Sequence, residues 1–179
     1  PRQLDFTAAE LRRGEDIVRS LGIADGEKYV CFMGRSSDYL NAVQGHMPDG
    51  HWSYHDHRDS DIRNYLPAVE ALGEAGISAL RIGKVVAGRI EARNSTIIDY
   101  ALRCRSDLGD VYLSAHCCFF IGDTAGLHAV PLGFGVPIVG VNRAPLSDLP
   151  LGTRDLFIPK HLRYAGSDRY LSFGETLPC

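Results

Sequence analysis

Residues 117–142, CCFFIGDTAGLHAVPLGFGVPIVGVN, decide the fold. Cys117–Gly122 is an apolar run of β-formers, Thr124–Phe134 reads as a short helix, and Pro137–Asn142 is a second apolar run. Two strands separated by one short helix demand parallel pairing through a crossover. The turn between strand and helix, Ile121-Gly122-Asp123-Thr124-Ala125-Gly126-Leu127, carries the strongest chemical signal. A helix starting there offers N–H groups with no intrahelical partner, and such a terminus attracts phosphate. Gly126 lets an anion approach the backbone, while Thr124 can cap the helix or give its hydroxyl to a ligand. The same residues would also make a plain tight turn with no ligand.

The pattern repeats outward from this stretch. Residues 28–33, KYVCFM, form a buried strand ending at Gly34-Arg35, and Ile77–Ile82 forms another ending at Gly83-Lys84. Thr96–Tyr100 reads as a further short strand. Thr7-Ala8-Ala9-Glu10 is a capping box opening a helix that Gly22 stops. A second helix runs from Asn64 to Ala75 with Pro67 in its first turn, and Ser106 caps a third that reaches His116. This alternation predicts an α/β protein with a Rossmann-like, doubly wound, mainly parallel sheet, forming one domain over residues 1–179. Ligands of such sheets bind at the carboxyl ends of the strands.

Composition narrows the partner. Of 179 residues 45% are hydrophobic, enough for one packed core. Nineteen basic against 22 acidic residues give a net charge of −3, with no stripe of Lys and Arg to suit nucleic acid or a membrane surface. The expected partner is a small molecule. No apolar run approaches the roughly 20 residues that span a bilayer, and PRQLDFTAAE is not a secretory signal, so no membrane span and a cytoplasmic location are expected. The five cysteines, Cys31, Cys104, Cys117, Cys118 and Cys179, read as buried reduced thiols. The chain begins at Pro1 and opens on a helix with no core strand before it, which points to a fragment of something longer.

Arg35 and Lys84 each follow a strand at the ligand edge, where a guanidinium fork and an ammonium can neutralise a diphosphate; a surface salt bridge is the competing reading for each. Neither Gly-x-Gly-x-x-Gly nor Gly-x-x-x-x-Gly-Lys-Ser/Thr occurs, so dinucleotide oxidoreductases and P-loop NTPases are unsupported. Residues 35–60 are polar and aromatic, long for a connection, and read as an active-site loop. Within it Asp38, Tyr54, Arg58 and Asp59 are candidates for the sugar or base pocket, the last two also as anchors of the loop. His55, Asp56 and His57 offer metal ligands, but no distant Cys or carboxylate completes a site, and no metal or cofactor is expected. Ser106, Asp107 and Asp110 open a helix: acidic groups suit its positive end, and Asp110 could instead hold a ribose or sugar hydroxyl. His116 and His128 lie on apolar helix faces and read as structural.

The chain resembles a bacterial glycosyltransferase family known mainly from surface-polysaccharide gene neighbourhoods, with a GT-B-like C-terminal half. The resemblance spans nearly all 179 residues. Its carriers are Tyr29–Arg35, Arg58 through Asn64–Ala68, Arg81–Lys84, Ile98–Tyr100, Ser106-Asp107 with Asp110, Phe120–Leu127 and Asp155–Lys160. It implies that Arg35, Lys84 and the Thr124–Leu127 turn, with Gly34 and Gly83, face the diphosphate of a nucleoside-diphosphate sugar. Two departures stand out: Met33 where relatives usually carry His, and Asp123 where they carry Thr or Ser. The tail Asp155–Lys160 and Arg169–Phe173 is assigned to closing over the donor cleft.

The expectation is therefore a metal-independent, Leloir-type glycosyltransferase donor domain that stabilises the departing diphosphate with Arg35 and Lys84. The glycan acceptor would sit on a missing N-terminal domain. Two alternatives stay open. One is a nucleotide-sugar epimerase or hydrolase using His116, His128 or Asp110, and the other is a non-catalytic nucleotide-sugar-binding module.

Overall fold

A computed structural model describes residues 4–43, 47–48, 50–86, 88–145 and 152–176. Six strands form one sheet: β1 (Tyr29–Met33), β2 (Ser78–Arg81), β3 (Ile97–Ile98), β4 (Phe120–Gly122), β5 (Ile138–Arg143) and β6 (Leu156–Pro159). Their order is β3-β2-β1-β4-β5-β6 and every pairing is parallel. This is the doubly wound Rossmann-like arrangement the alternation predicts.

The central strands β1, β2 and β4 are buried on both faces, which explains why β1 reads as a continuous apolar run rather than an alternating one. On one face Tyr29, Cys31 and Met33 pack with Leu80, Leu113 and Phe120, under α1 (Ala8–Ser20) and α5 (Asp107–His116). On the other, Val30 and Phe32 pack with Val69, Ala79 and Ile121, under α3 (Leu66–Glu74). The capping box at Thr7 and Glu10 forms as read, and Pro67 lies in the first turn of α3, where its missing N–H costs nothing.

Several elements are shorter than their sequence patterns. The Thr96–Tyr100 strand keeps only Ile97 and Ile98, because Tyr100 starts the short helix α4 (Tyr100–Arg103). The Tyr100 ring is fully buried, and its hydroxyl accepts from Ser106 N at 2.8 Å, which fixes the start of α5. The Cys117–Gly122 strand keeps Phe120–Gly122; Cys117 caps α5, although Cys118 N already donates to Tyr29 O at 2.9 Å. The described residues within 35–60 are not a plain loop, since they include α2 (Asp38–Val43) and a 3-10 turn over Ser53–Arg58. The second helix is likewise preceded by a 3-10 turn, Ile62–Tyr65.

The cysteine expectation needs correcting. Cys31 and Cys117 are buried free thiols, but Cys104 and Cys118 are free and exposed, since each lies in a connection outside the packed faces; Cys179 lies outside the described residues. The tail also departs from expectation. Leu156–Pro159 does not close over a cleft but adds β6 to the sheet edge, and α7 (Phe173–Thr176) follows. Among the described residues no helix is long and apolar enough to cross a membrane.

Candidate functional site

The strand order reverses between β1 and β4: the chain turns from β1 toward β2 on one side and from β4 toward β5 on the other. Neighbouring crossovers then diverge and leave a crevice at the strands' carboxyl ends. A cleft of about 640 Å³ lies there. Its walls come from Met33–Ser36 at the end of β1, Ile82–Val86 after β2, the start of α5, and Thr124–His128 after β4, with Tyr39, Leu40, His55, Arg58 and Arg105 beside them. Sizes of this order suit a small organic ligand.

Four basic side chains line the cleft, Arg35, Arg58, Lys84 and Arg105, against two acidic ones, Asp107 and Asp110. Tyr39, Leu40, Val85, Val86, Val111 and Leu127 supply an apolar wall beside them. Lys84 is half exposed, and its ammonium lies 3.9 Å from the exposed Asp107 carboxylate, a contact that solvent leaves nearly without energy. Arg105 is held harder, bonding both Asp107 and Asp110, the latter from Nε at 2.9 Å. Burial pushes the Asp110 carboxyl upward against the pull of Arg105, and its Oδ1 is buried with no partner among the described residues.

Arg35 is arranged differently from the sequence expectation. It lines the cleft but is only 8% exposed, and its Nη1 bonds the Asp59 carboxylate and the His55 carbonyl, the latter at 3.1 Å. Part of its charge is thus offset internally. Burial, then the neighbouring Arg58, lowers its pKa. The Arg58 Nη2 bonds His55 Nδ1, and desolvation, Arg58 and Arg35 together hold the imidazole below its ordinary pKa. A neutral ring accepting at Nδ1 is the consistent state.

The β4 turn also needs correcting. No α-helix starts at Thr124: Ala125 is extended, a 3-10 turn covers Gly126–His128, and α6 spans Ala129–Phe134. Thr124 does not cap that turn; its Oγ1 accepts from the buried Arg143 Nη1 at 3.1 Å. The Thr124–Leu127 backbone still forms one wall of the cleft.

Gly34, Gly83, Arg35, Lys84, Arg58, Asp107, Asp110 and Thr124–Leu127 therefore share one cleft, whereas four other candidates do not line it. Asp38 accepts from Ser36 Oγ at 2.9 Å. Tyr54 is exposed and packs on His55. Asp59 supports Arg35 from behind and accepts from Ser37 N at 3.0 Å, and Ser106 is spent capping α5 through Gly109 N at 3.0 Å. His57 Nδ1 donates to Tyr54 O at 2.9 Å, and among the described residues no three His, Cys, Asp or Glu groups gather as metal ligands would. His116 stacks on Tyr112 and is tilted against Phe6, and it does not line the cleft, whereas His128 does.

Sequence reasoning missed Arg105 and Asp123. Arg105 stands next to the capping Ser106, at the edge of a helix start already marked for acidic groups. Asp123 is fully buried, and its Oδ2 accepts from Arg35 N at 2.7 Å and Ser60 Oγ at 2.5 Å. It ties the ends of β1 and β4 together beneath the cleft.

No protein-family model matches the sequence, and no curated protein matches it. Among solved structures the fold is similar to the glycosyl transferase family 9 protein from Veillonella parvula, with a TM-score of 0.53 and 15% identity. The match covers 78% of this chain and 36% of that one. At that identity the likeness is one of fold.

Proposed function

We propose that the cleft binds a nucleoside-diphosphate sugar and that the chain is the donor-binding domain of a GT-B-type, Leloir glycosyltransferase. The observation that carries this reading is the pairing, in one cleft at the switch point, of four cationic side chains with apolar ones. An anionic ligand with a flat or ring-shaped apolar part fits both halves. The likeness of fold to a glycosyl transferase supports the reaction class.

In this reading Lys84 and Arg58 meet the phosphates, with Gly34, Gly83 and the Thr124–Leu127 backbone allowing close approach. Arg35 faces the same anion while held by Asp59. As the bond from sugar to diphosphate breaks, negative charge grows on the leaving oxygen. Fixed cations placed where that charge develops lower the barrier without a metal ion. Asp107 and Asp110 are placed to accept from ribose or sugar hydroxyls. In this reading the acceptor and a general base come from another domain.

A nucleotide-sugar hydrolase or epimerase is the second reading, favoured by the raised Asp110 carboxyl and by His128 in the cleft wall. Product analysis with donor alone separates the two, since a transferase lacking acceptor leaves the donor intact. The binding claim itself is tested by thermal unfolding with UDP, GDP, CDP, ADP and their sugars. A ligand specific for the folded state at about 100 times its dissociation constant adds about 2.7 kcal/mol. At least one of them should raise the melting temperature, and no shift with any would refute the reading.

A further inference from the structure

Lys160, at the end of the Asp155–Lys160 tail motif, and Asn142, in β5, both reach the turn that carries Arg58 and Asp59. The Lys160 ammonium donates to the His57 carbonyl at 2.6 Å and to the Asp59 carbonyl at 3.3 Å. Asn142 Nδ2 donates to the same Asp59 carbonyl at 3.2 Å and to that of Arg58 at 3.4 Å. These carbonyls end the Ser53–Arg58 turn, where a cation is electrostatically favoured.

Asn142 is reached at a cost. It is the one non-glycine residue with positive φ among the described residues, at 53°, and it lies where the β5–β6 register shifts. Such an irregularity re-aims a side chain, and a strained backbone retained at a strand end signals that the direction matters. The turn it meets carries Arg58 in the cleft wall and Asp59, which holds Arg35.

The geometry points to Lys160 and Asn142 as positioning residues that clamp the 53–59 turn from the far edge of the sheet and so set Arg35 and Arg58 toward the anionic part of the ligand. The clamp itself is independent of ligand identity; its purpose rests on the diphosphate reading above.

Trp52 is the only tryptophan and immediately precedes the turn, with its ring stacked near His55. Its quenching by acrylamide reports how firmly the turn is held, and affinity for inorganic pyrophosphate reports the cations. Lys160→Met and Asn142→Gly, the latter compatible with positive φ, should each raise Trp52 quenching and weaken pyrophosphate binding about tenfold, with little change in melting temperature. Lys160→Arg, which keeps a multidentate donor, should restore both. Unchanged quenching in both variants overturns the clamp. Raised quenching with unchanged pyrophosphate affinity overturns its positioning role. If the wild-type protein binds no pyrophosphate, the diphosphate reading fails, and the quenching result alone upholds or overturns the clamp.

Discussion

Asp123 shows how far partners distant in sequence decide a residue's meaning. In the sequence it is only a departure from the resemblance, standing where relatives carry Thr or Ser. In the fold it is a buried brace, linking Arg35 N and Ser60 Oγ, 88 and 63 residues away. Neither partner is visible from local pattern, and the same holds for Arg143, buried at the end of a strand that reads as purely apolar. Burial raises the Asp123 carboxyl above its ordinary value of 3.8, outweighing the hydrogen bonds that lower it. In the window from that value up to the raised one the folded state holds more protons than the unfolded. Stability from this group therefore falls as pH rises through the window and is constant above it. Asp123→Asn keeps an oxygen for both donors and removes the titration. Urea unfolding of both proteins from about pH 4 to pH 7 should show the wild type losing stability relative to Asn as pH rises. A flat or rising difference would contradict this account.

Helices were legible where capping and glycine punctuation marked them: the Thr7 capping box, Pro67 in the first turn, and Ser106 before α5 all sit where the pattern places them. Strand lengths were less legible, because an apolar run continues past the last ladder bond into buried connections such as Tyr100. β6 escaped notice although Leu156-Phe157-Ile158 is an apolar run; it is a short edge strand, and all three side chains are exposed. The α1–α5 seam supplies a test at this scale. A Cβ added at Gly14 would overlap the Tyr112 ring, itself stacked on His116 and tilted against Phe6. Alanine would gain about 1 kcal/mol of helix propensity and lose about 1 to 3 kcal/mol to overpacking. Gly14→Ala should therefore lower the urea midpoint. A midpoint at or above that of the wild type would mean that the Tyr112 ring yields freely.

At the scale of the whole molecule, the doubly wound order explains why groups from residues 33–128 meet in one place: the strand ends at the switch point bring Arg35, Lys84 and the 124–127 backbone to a single cleft. The sequence marked that convergence because each cation directly follows an apolar strand. What it could not supply was the allocation of charge within the cleft, with Arg35 partly committed to Asp59 and Lys84 in a loose contact with Asp107. That allocation makes Lys84 the sharpest probe. Calorimetric titration of the best nucleoside diphosphate into wild type and Lys84→Ala should show a loss of about 1.5 to 3 kcal/mol in the variant, the value of a hydrogen bond to a charged group. The parent nucleoside, lacking phosphates, should bind both proteins alike. Equal diphosphate affinity in the two proteins would contradict the assignment of this cleft to a diphosphate.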